Sequence, residues 1–353
     1  MPLTPATLSD LTSHGFDTVI DVRSPSEFAE DHVPGAINLP VLSDEERAEV
    51  GTIYVQDSPF KGRKVGAAKV FRNISTHVAG PLAAMEGGWK PLVYCWRGGQ
   101  RSGAFAWALK EIGWRADTLV GGYQSYRRLV FRALYETPLS QPVVLLDGYT
   151  GTAKTDLLHL LKDRGVQVID LEGLAGHRGS LLGALDHPQP AQKRFESGLA
   201  AALDTLDPSR PVLIEAESNK IGERIVPPSL WTAMKAAPRI QVRAPVEDRV
   251  AYLVQAYDDI LSDSERLTQK LTPLRAHRGG EVVDRWMDLI ASGDKPALTR
   301  SLMLDHYDPA YDKSRRSIGA ETLAEVEASS LTSDGLTRAA AYIERALDAF
   351  TPG

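Results

Sequence analysis

The chain has 353 residues, enough for two domains of ordinary size, and its 43% hydrophobic and 24% charged content is that of a soluble globular protein. A formal net charge of −6 excludes a uniformly basic nucleic-acid binder while leaving room for a local basic patch. No apolar stretch is long enough to span a bilayer, and the single cysteine excludes an internal disulfide. The eight histidines show neither His-x-x-x-His nor Cys/His spacing, so no metal ligands are assigned. With no basic-then-apolar opening segment, the expected location is a reducing cytoplasm, with no membrane partner.

In chain order, Thr18-Val19-Ile20-Asp21-Val22 predicts a short buried strand. A helix should follow from Pro25, with Ser24 as its N-cap and proline at the first helical position. The loop Asp31 to Pro40 returns the chain towards another short strand. Residues 91–95 predict the next strand, 102–113 a helix and 117–120 a last strand, an alternation that means a parallel α/β sheet. At the end of the strand at 91–95 stands the lone thiol, in Cys95-Trp96-Arg97-Gly98-Gly99-Gln100-Arg101-Ser102. A free cysteine is either a small buried hydrophobe or a nucleophile. A strand, glycine turn and helix in succession aim backbone N–H groups and a helix N-terminus at the sulfur. Arg97 and Arg101 add positive charge, so the cradle of Trp96, Arg97, Gly98, Gly99 and Arg101 suits a thiolate and a bound oxyanion. These residues favour Cys95 as a catalytic nucleophile.

Asp21-Val22-Arg23, Glu27, His32-Val33-Pro34-Gly35-Ala36-Ile37-Asn38, the Cys95 loop and Leu119-Val120-Gly121-Gly122-Tyr123 together resemble a rhodanese domain. Rhodanese domains carry sulfur on their cysteine as a persulfide. The Cys-x5-Arg loop is one residue longer than the common sulfurtransferase loop and matches the length found in rhodanese-fold phosphatases. A wider cradle suits a larger anion, such as a phosphate or a selenium species.

Thr137 to Pro142 reads as a proline-bounded linker, dividing the chain into a domain at 1–136, a linker at 137–142 and a second domain at 143–353. Just before it, Tyr126 to Arg132 is a basic amphipathic segment, expected to be helical. After it, Val143 to Asp147 predicts a buried strand entering Gly148-Tyr149-Thr150-Gly151-Thr152-Ala153-Lys154-Thr155, with a helix from Asp156 to Arg164 beyond. This is a phosphate-binding loop with alanine in place of its second glycine. Gly148, Thr150, Gly151, Lys154 and Thr155 are the diphosphate-binding candidates; the competing reading is an ordinary turn with a solvated lysine. The run from Pro211 to Ser218 predicts a strand whose Glu215 and Glu217 share a face, to hold a metal or substrate or to pair with arginines. Leu171 to Ser180 reads as a glycine-rich loop. Beyond residue 245, the segments 247–261, 281–291 and 323–350 all show helical apolar spacing. Arg300, His306, Arg315 and Arg316 fall between them and read as a solvated face. The fold class is thus α/β: a rhodanese-like parallel-sheet domain, then a P-loop NTPase-like α/β domain with a helical C-terminal part.

The order of these motifs, including Leu171-Glu172-Gly173-Leu174, His177-Arg178-Gly179-Ser180 and Glu215-Ala216-Glu217-Ser218, resembles the bacterial tRNA 2-selenouridine synthase family over nearly the whole chain. Ala153 departs from that pattern, where glycine is usual. The resemblance implies a cytoplasmic transferase that acts on 2-thiouridine at the tRNA wobble position. Geranyl diphosphate first alkylates the sulfur, and selenophosphate then supplies selenium to give 2-selenouridine. By this resemblance the phosphate loop binds the diphosphate leaving group, with room for Mg2+. Cys95 takes selenium from selenophosphate, while Arg97, Arg101 and the loop amides hold the departing phosphate. The co-substrates are selenophosphate, delivered by its synthetase in one version, and geranyl diphosphate; no tightly bound cofactor is implied. The partner is tRNA, for which Arg127, Arg128 and Arg132 are the candidate contacts, joined by Lys61, Arg63, Lys64, Lys69 and Arg72. The alternative is a rhodanese-type sulfurtransferase or Cys-x5-Arg phosphatase with a nucleotide-binding second domain.

Overall fold

Short apolar runs of the first hundred residues pair with one another across long stretches of chain. In the computed structural model, which describes residues 1–318 and 321–350 and no side chains from 314 to 318, two units form. One comprises Met1–Thr137 with Pro190–Asp204, the other Pro138–Gln189 with Thr205–Gly353.

In the first unit, β1 (Thr18–Asp21), β2 (Ile37–Asn38), β3 (Pro91–Tyr94) and β4 (Asp117–Thr118) form a parallel sheet in the order β2-β1-β3-β4. Every residue of β3 is buried, as expected of a parallel strand covered on both faces. Ser24 and Glu27 close a capping box at the helix Pro25–Glu30, with Pro25 in its first turn. The helix Gln100–Ile112 packs Phe105 and Leu109 against Ile20 and Val93. The basic segment expected to be helical lies in Gly122–Phe131 up to its last residue, Arg132, which opens a π-helical turn running to Glu136.

The linear division of the chain placed residues 190–204 with the second domain, yet the helix Gln192–Asp204 is built into the first unit. Phe195 and Leu199 are buried, and the Ser197 hydroxyl donates to Asp31 Oδ2 at 2.8 Å. Glu196 pairs with Arg127, and Lys193 with Glu30 at 2.7 Å. Every one of these partners lies more than sixty residues away in sequence, which no local pattern encodes.

In the second unit β5 (Val143–Gly148), β6 (Val168–Ile169), β7 (Val212–Glu215), β10 (Arg239–Arg243) and β11 (Thr322–Glu327) run parallel in the order β11-β10-β5-β7-β6; β8 (Lys220–Ile221) and β9 (Arg224–Ile225) form a separate antiparallel pair. The helix Lys154–Asp163 buries Leu157, Leu158 and Leu161 in the core of this sheet. A helical part follows with a core of its own, centred on Trp286, Leu271, Val283 and Leu298. The segment 323–350, expected to be helical throughout, divides: 322–327 is the edge strand β11, and only Ser333–Asp348 is helix. The ladder offered by β10, where Val242 pairs with Val326, overrides the local helical spacing. Thr332 caps the helix by accepting the Gly335 N–H at 3.4 Å.

Candidate active sites

The Cys95 loop leaves the end of β3 and enters the helix Gln100–Ile112 through Gly99, whose φ of 75° is left-handed and favours glycine. Cys95 is 3% exposed, and the Ser102 hydroxyl donates to its sulfur at 3.3 Å. The loop is pinned from behind, because the N–H groups of Tyr123 and Gln124 donate to the Cys95 and Trp96 carbonyls at 2.8 and 3.0 Å. A Cβ at Gly122 would stand 3.2 Å from the Cys95 carbonyl carbon and collide with its oxygen. The glycine of that closing motif therefore serves the loop directly. Arg97 projects to the exterior from the loop with Gly98, while Trp96 packs on Tyr123 at 5.4 Å.

Arg101, expected to face a bound anion, instead donates to Glu27 Oε2 at 3.2 Å. Burial pushes the Glu27 pKa up, but Arg101, the Ser24 N–H and Arg47 outweigh it and hold the carboxyl below its usual range. A capping carboxylate that is 9% exposed needs a cation, and Arg101 supplies it. Arg101 is thus partly neutralised by Glu27, and Arg97 is the other cation of the loop.

The Asp21-Val22-Arg23 motif is structural in this fold. Arg23, 1% exposed, holds Asp21 through two N–H groups at 3.0 and 2.6 Å and lies over the Tyr123 ring at 3.9 Å. Asp31 is buried with Tyr123 and Ser197 hydroxyls on Oδ2 and, among the described residues, no partner on Oδ1. Burial raises its pKa despite those donors.

In the second unit, β5 ends at Gly148, where a Cβ would lie 2.9 Å from the Val242 carbonyl oxygen. The chain then wraps back, and Lys154 Nζ donates to the carbonyls of Gly148 and Tyr149 at 3.0 and 3.4 Å. Gly151, with φ of 86°, presses on Leu253 so closely that a Cβ would stand 2.8 Å from that side chain. The Thr150 carbonyl accepts two bonds from buried Arg249, at 3.0 and 2.8 Å, and Arg249 is paired with Asp308. Ala153 adopts φ 56° and ψ 37°, the left-handed conformation in which glycine is at ease. The alanine thus occupies the loop geometry that a glycine would.

A cavity of 230 Å³ opens over this loop, lined by Thr150, Gly151, Lys154 and Thr155 and by Glu172, Arg178, Glu217 and Tyr311. Burial works against the Lys154 charge, but Tyr311, Glu217, Glu172 and Asp147 outweigh it and raise its pKa. Thr155 donates to Glu172 Oε2 at 3.1 Å. Burial and the neighbouring Glu172 push Glu217 up to about 8, with Lys154 opposing. Gly179, in the glycine-rich segment, allows both carboxylates to close in, since a Cβ there would lie 2.8 Å from either Glu217 oxygen. That segment is itself partly helical, over Leu171–Ala175, with Asp170 as N-cap.

Glu215 and Glu217 do not share a strand face. β7 ends at Glu215, and the Glu217 N–H donates back to the Glu215 carbonyl at 2.8 Å, turning the chain. Glu215 is fully buried and accepts the Leu171 N–H at 2.9 Å, while Glu217 turns into the loop cavity. Among the described residues no group of three or more His, Cys, Asp or Glu is arranged to hold a metal ion.

The basic candidates separate. Arg127 is bound to buried Glu196 and is a packing residue, because a carboxylate 3% exposed requires a counter-charge; Arg128 and Arg132 are exposed. In the first group Lys61 pairs with Asp57, Lys69 with Glu49 and Arg72 with Glu46, leaving Arg63 and Lys64 exposed. Arg300 pairs with Glu247, and Arg315 and Arg316 lie outside the described side chains. Sequence reasoning missed Tyr311, Arg249 and Asp308, which come from helices that no phosphate-loop pattern includes. Among the described residues no helix is long and apolar enough to cross a membrane.

A parallel sheet with a thiol on the loop after β3, and a second sheet whose central strand turns through a lysine-bearing loop into a helix, define a rhodanese-like domain joined to a P-loop domain. The model of the rhodanese-like domain matches residues 4–129, and that of the tRNA 2-selenouridine synthase AAA domain matches residues 141–280. The chain is 34% identical to the tRNA 2-selenouridine synthase of Chromohalobacter salexigens, over 83% of this chain and 86% of that protein. The corresponding protein of Alcanivorax borkumensis is 32% identical, over 83% and 88%. That of Bdellovibrio bacteriovorus is 36% identical, over 70% of this chain and 65% of its own length. The chain belongs to the tRNA 2-selenouridine synthase family.

Proposed function

We propose that the chain converts 2-thiouridine at the tRNA wobble position to 2-selenouridine, in two steps at two sites. Geranyl diphosphate alkylates the sulfur at the phosphate loop, and selenophosphate then replaces the S-geranyl group by selenium through the Cys95 loop. The observation that carries this reading is the presence, in one chain of this family, of a buried thiol on a glycine–arginine loop and a phosphate loop whose half-buried lysine lines a cavity. Breaking an allylic C–O bond leaves a diphosphate whose charge needs stabilising, and Lys154 with the loop amides supplies preorganised donors. The exposed Arg97 and the loop amides suit the phosphate of selenophosphate, beside a thiol that Ser102 orients. S-alkylation turns the sulfur into a better leaving group, so the first step prepares the second.

The test is nucleoside mass spectrometry of thiolated tRNA incubated with geranyl diphosphate, then selenophosphate. Wild type should give S-geranyl-2-thiouridine and then 2-selenouridine. Cys95→Ser should stop at the geranylated nucleoside, and normal selenation by that variant refutes the role of Cys95. Turnover of thiosulfate or p-nitrophenyl phosphate in place of selenophosphate would point to a sulfurtransferase or phosphatase instead.

A further inference from the structure

Beside the phosphate-loop cavity lies a second one of 400 Å³, within the same unit. The two share Gly179, Glu217 and Tyr311 as a common wall. The volume falls in the range of built small-molecule sites, roughly 300–1,000 Å³. Its lining mixes flat apolar surface with fixed polar groups. Trp231, Met234 and Leu145 offer apolar and aromatic faces; Asn219 offers an amide, and Lys235 and Arg239 offer positive charge. Arg239 pairs with Asp147 through Nη1 at 3.3 Å, yet its Nε–H is buried without a hydrogen-bond partner among the described residues. An aromatic wall, an amide and cations next to a diphosphate site are what a nucleotide requires of a pocket.

The chemistry of the proposed first step adds a requirement. In 2-thiouridine the sulfur is a thione and N3 carries a proton. When sulfur attacks the geranyl carbon, the S–C bond forms and the C–O bond breaks, with the electron pair leaving on the diphosphate. C2=S becomes C2=N3, so the N3 proton must be removed by a base beside both reactants. Glu217 is the carboxylate in the wall between the two cavities. We infer that the 400 Å³ cavity receives the thiopyrimidine ring of the tRNA nucleotide, against Trp231, and that Glu217 takes its N3 proton as the sulfur is alkylated. The inference rests on the geranylation step proposed above. The charged and titratable groups around Glu217 are Lys154 from the phosphate-loop helix, Glu172 from Leu171–Ala175, Tyr311 from the helix Asp308–Ile318 and, more weakly, buried Glu215 from β7. Burial and the neighbouring Glu172 push its carboxyl up to about 8 against the pull of Lys154, so that it serves as a base once ionised, in neutral to mildly alkaline solution.

The test uses the full chain with geranyl diphosphate and an anticodon stem–loop carrying 2-thiouridine. Trp231→Ala should raise KM for the stem–loop about tenfold or more and leave geranyl diphosphate binding within about twofold, and Trp231→Phe should restore most of the loss. Glu217→Gln should lower kcat by about a hundredfold or more with little change in KM. Wild-type kcat should fall as pH drops below about 8, because the base must be ionised, and the Glu217→Gln profile should lose that limb. Thermal melts identify a variant that has merely unfolded. Wild-type KM in Trp231→Ala, or a retained acid limb in Glu217→Gln, overturns the inference. Should wild type yield no S-geranyl product, the geranylation reading falls. The base pocket is then judged by direct binding of the stem–loop, which should still weaken about tenfold in Trp231→Ala.

Discussion

Ala153 shows how a single side chain can depart from a motif without departing from its geometry. A left-handed alanine costs about 1–2 kcal/mol, while replacing alanine by glycine loosens the unfolded chain by about 0.4–1 kcal/mol. The first effect is the larger, so Ala153→Gly should stabilise the protein by roughly 0.5–1 kcal/mol. Denaturant titration measures this, and a destabilised variant would mean that the loop relaxes around the methyl group. At the same scale, Arg101 and Arg127 carry charges that sequence reading assigned to external anions. Both are held by carboxylates that are nearly inaccessible to water, Glu27 and Glu196. A buried carboxylate claims the nearest cation before any ligand does.

At the scale of elements, the helix Gly122–Phe131 presents one buried and one exposed face. Its buried face carries Tyr123, Tyr126 and Leu129, with Arg127 on the edge that pairs with Glu196; Arg128 lies on the exposed side, followed by exposed Arg132. Removing one partner of a buried pair leaves an uncompensated charge, at a cost of about 3–5 kcal/mol. Arg127→Ala should therefore lower stability by about that much, and chemical denaturation should register it. An Arg128→Ala, Arg132→Ala double variant should change stability by no more than about 0.5 kcal/mol. If these two touch tRNA phosphates, it should also make the salt dependence of tRNA binding shallower by about 0.7–0.9 for each residue lost. An unchanged slope would move the tRNA surface to Arg63 and Lys64 or to the second unit.

At the scale of the whole molecule, the helix Gln192–Asp204 belongs to the first unit although the chain on either side of it belongs to the second. Burying Phe195 and Leu199 contributes about 1.5–3 kcal/mol each, a large share of the 5–15 kcal/mol that holds a typical domain together. A fragment of residues 1–136 should consequently melt well below the intact protein and bind hydrophobic dyes. Appending residues 190–204 through a flexible linker should restore most of the loss. A fragment as stable without the helix as with it would show that the helix is a passenger.

Much of this protein was determined by sequence alone, wherever one short segment carries its own geometry. The buried strand before Cys95, the glycines that turn the loop after it, the Ser24 cap with Pro25 behind it and the strand–loop–helix around Lys154 are each local, and all appear where residue type and spacing put them. Tertiary structure alone decided the rest, because it depends on which distant groups meet. Whether 322–327 became helix or strand depended on the free edge of β10. Glu217 became a cavity carboxylate rather than a strand-face partner of Glu215 because the chain turns at the end of β7. The unit to which residues 190–204 belong was settled by Asp31 and Arg127, far upstream. Hydrogen-bond ladders, buried charges and shared cavities are long-range quantities, and a sequence read in windows has no means of summing them.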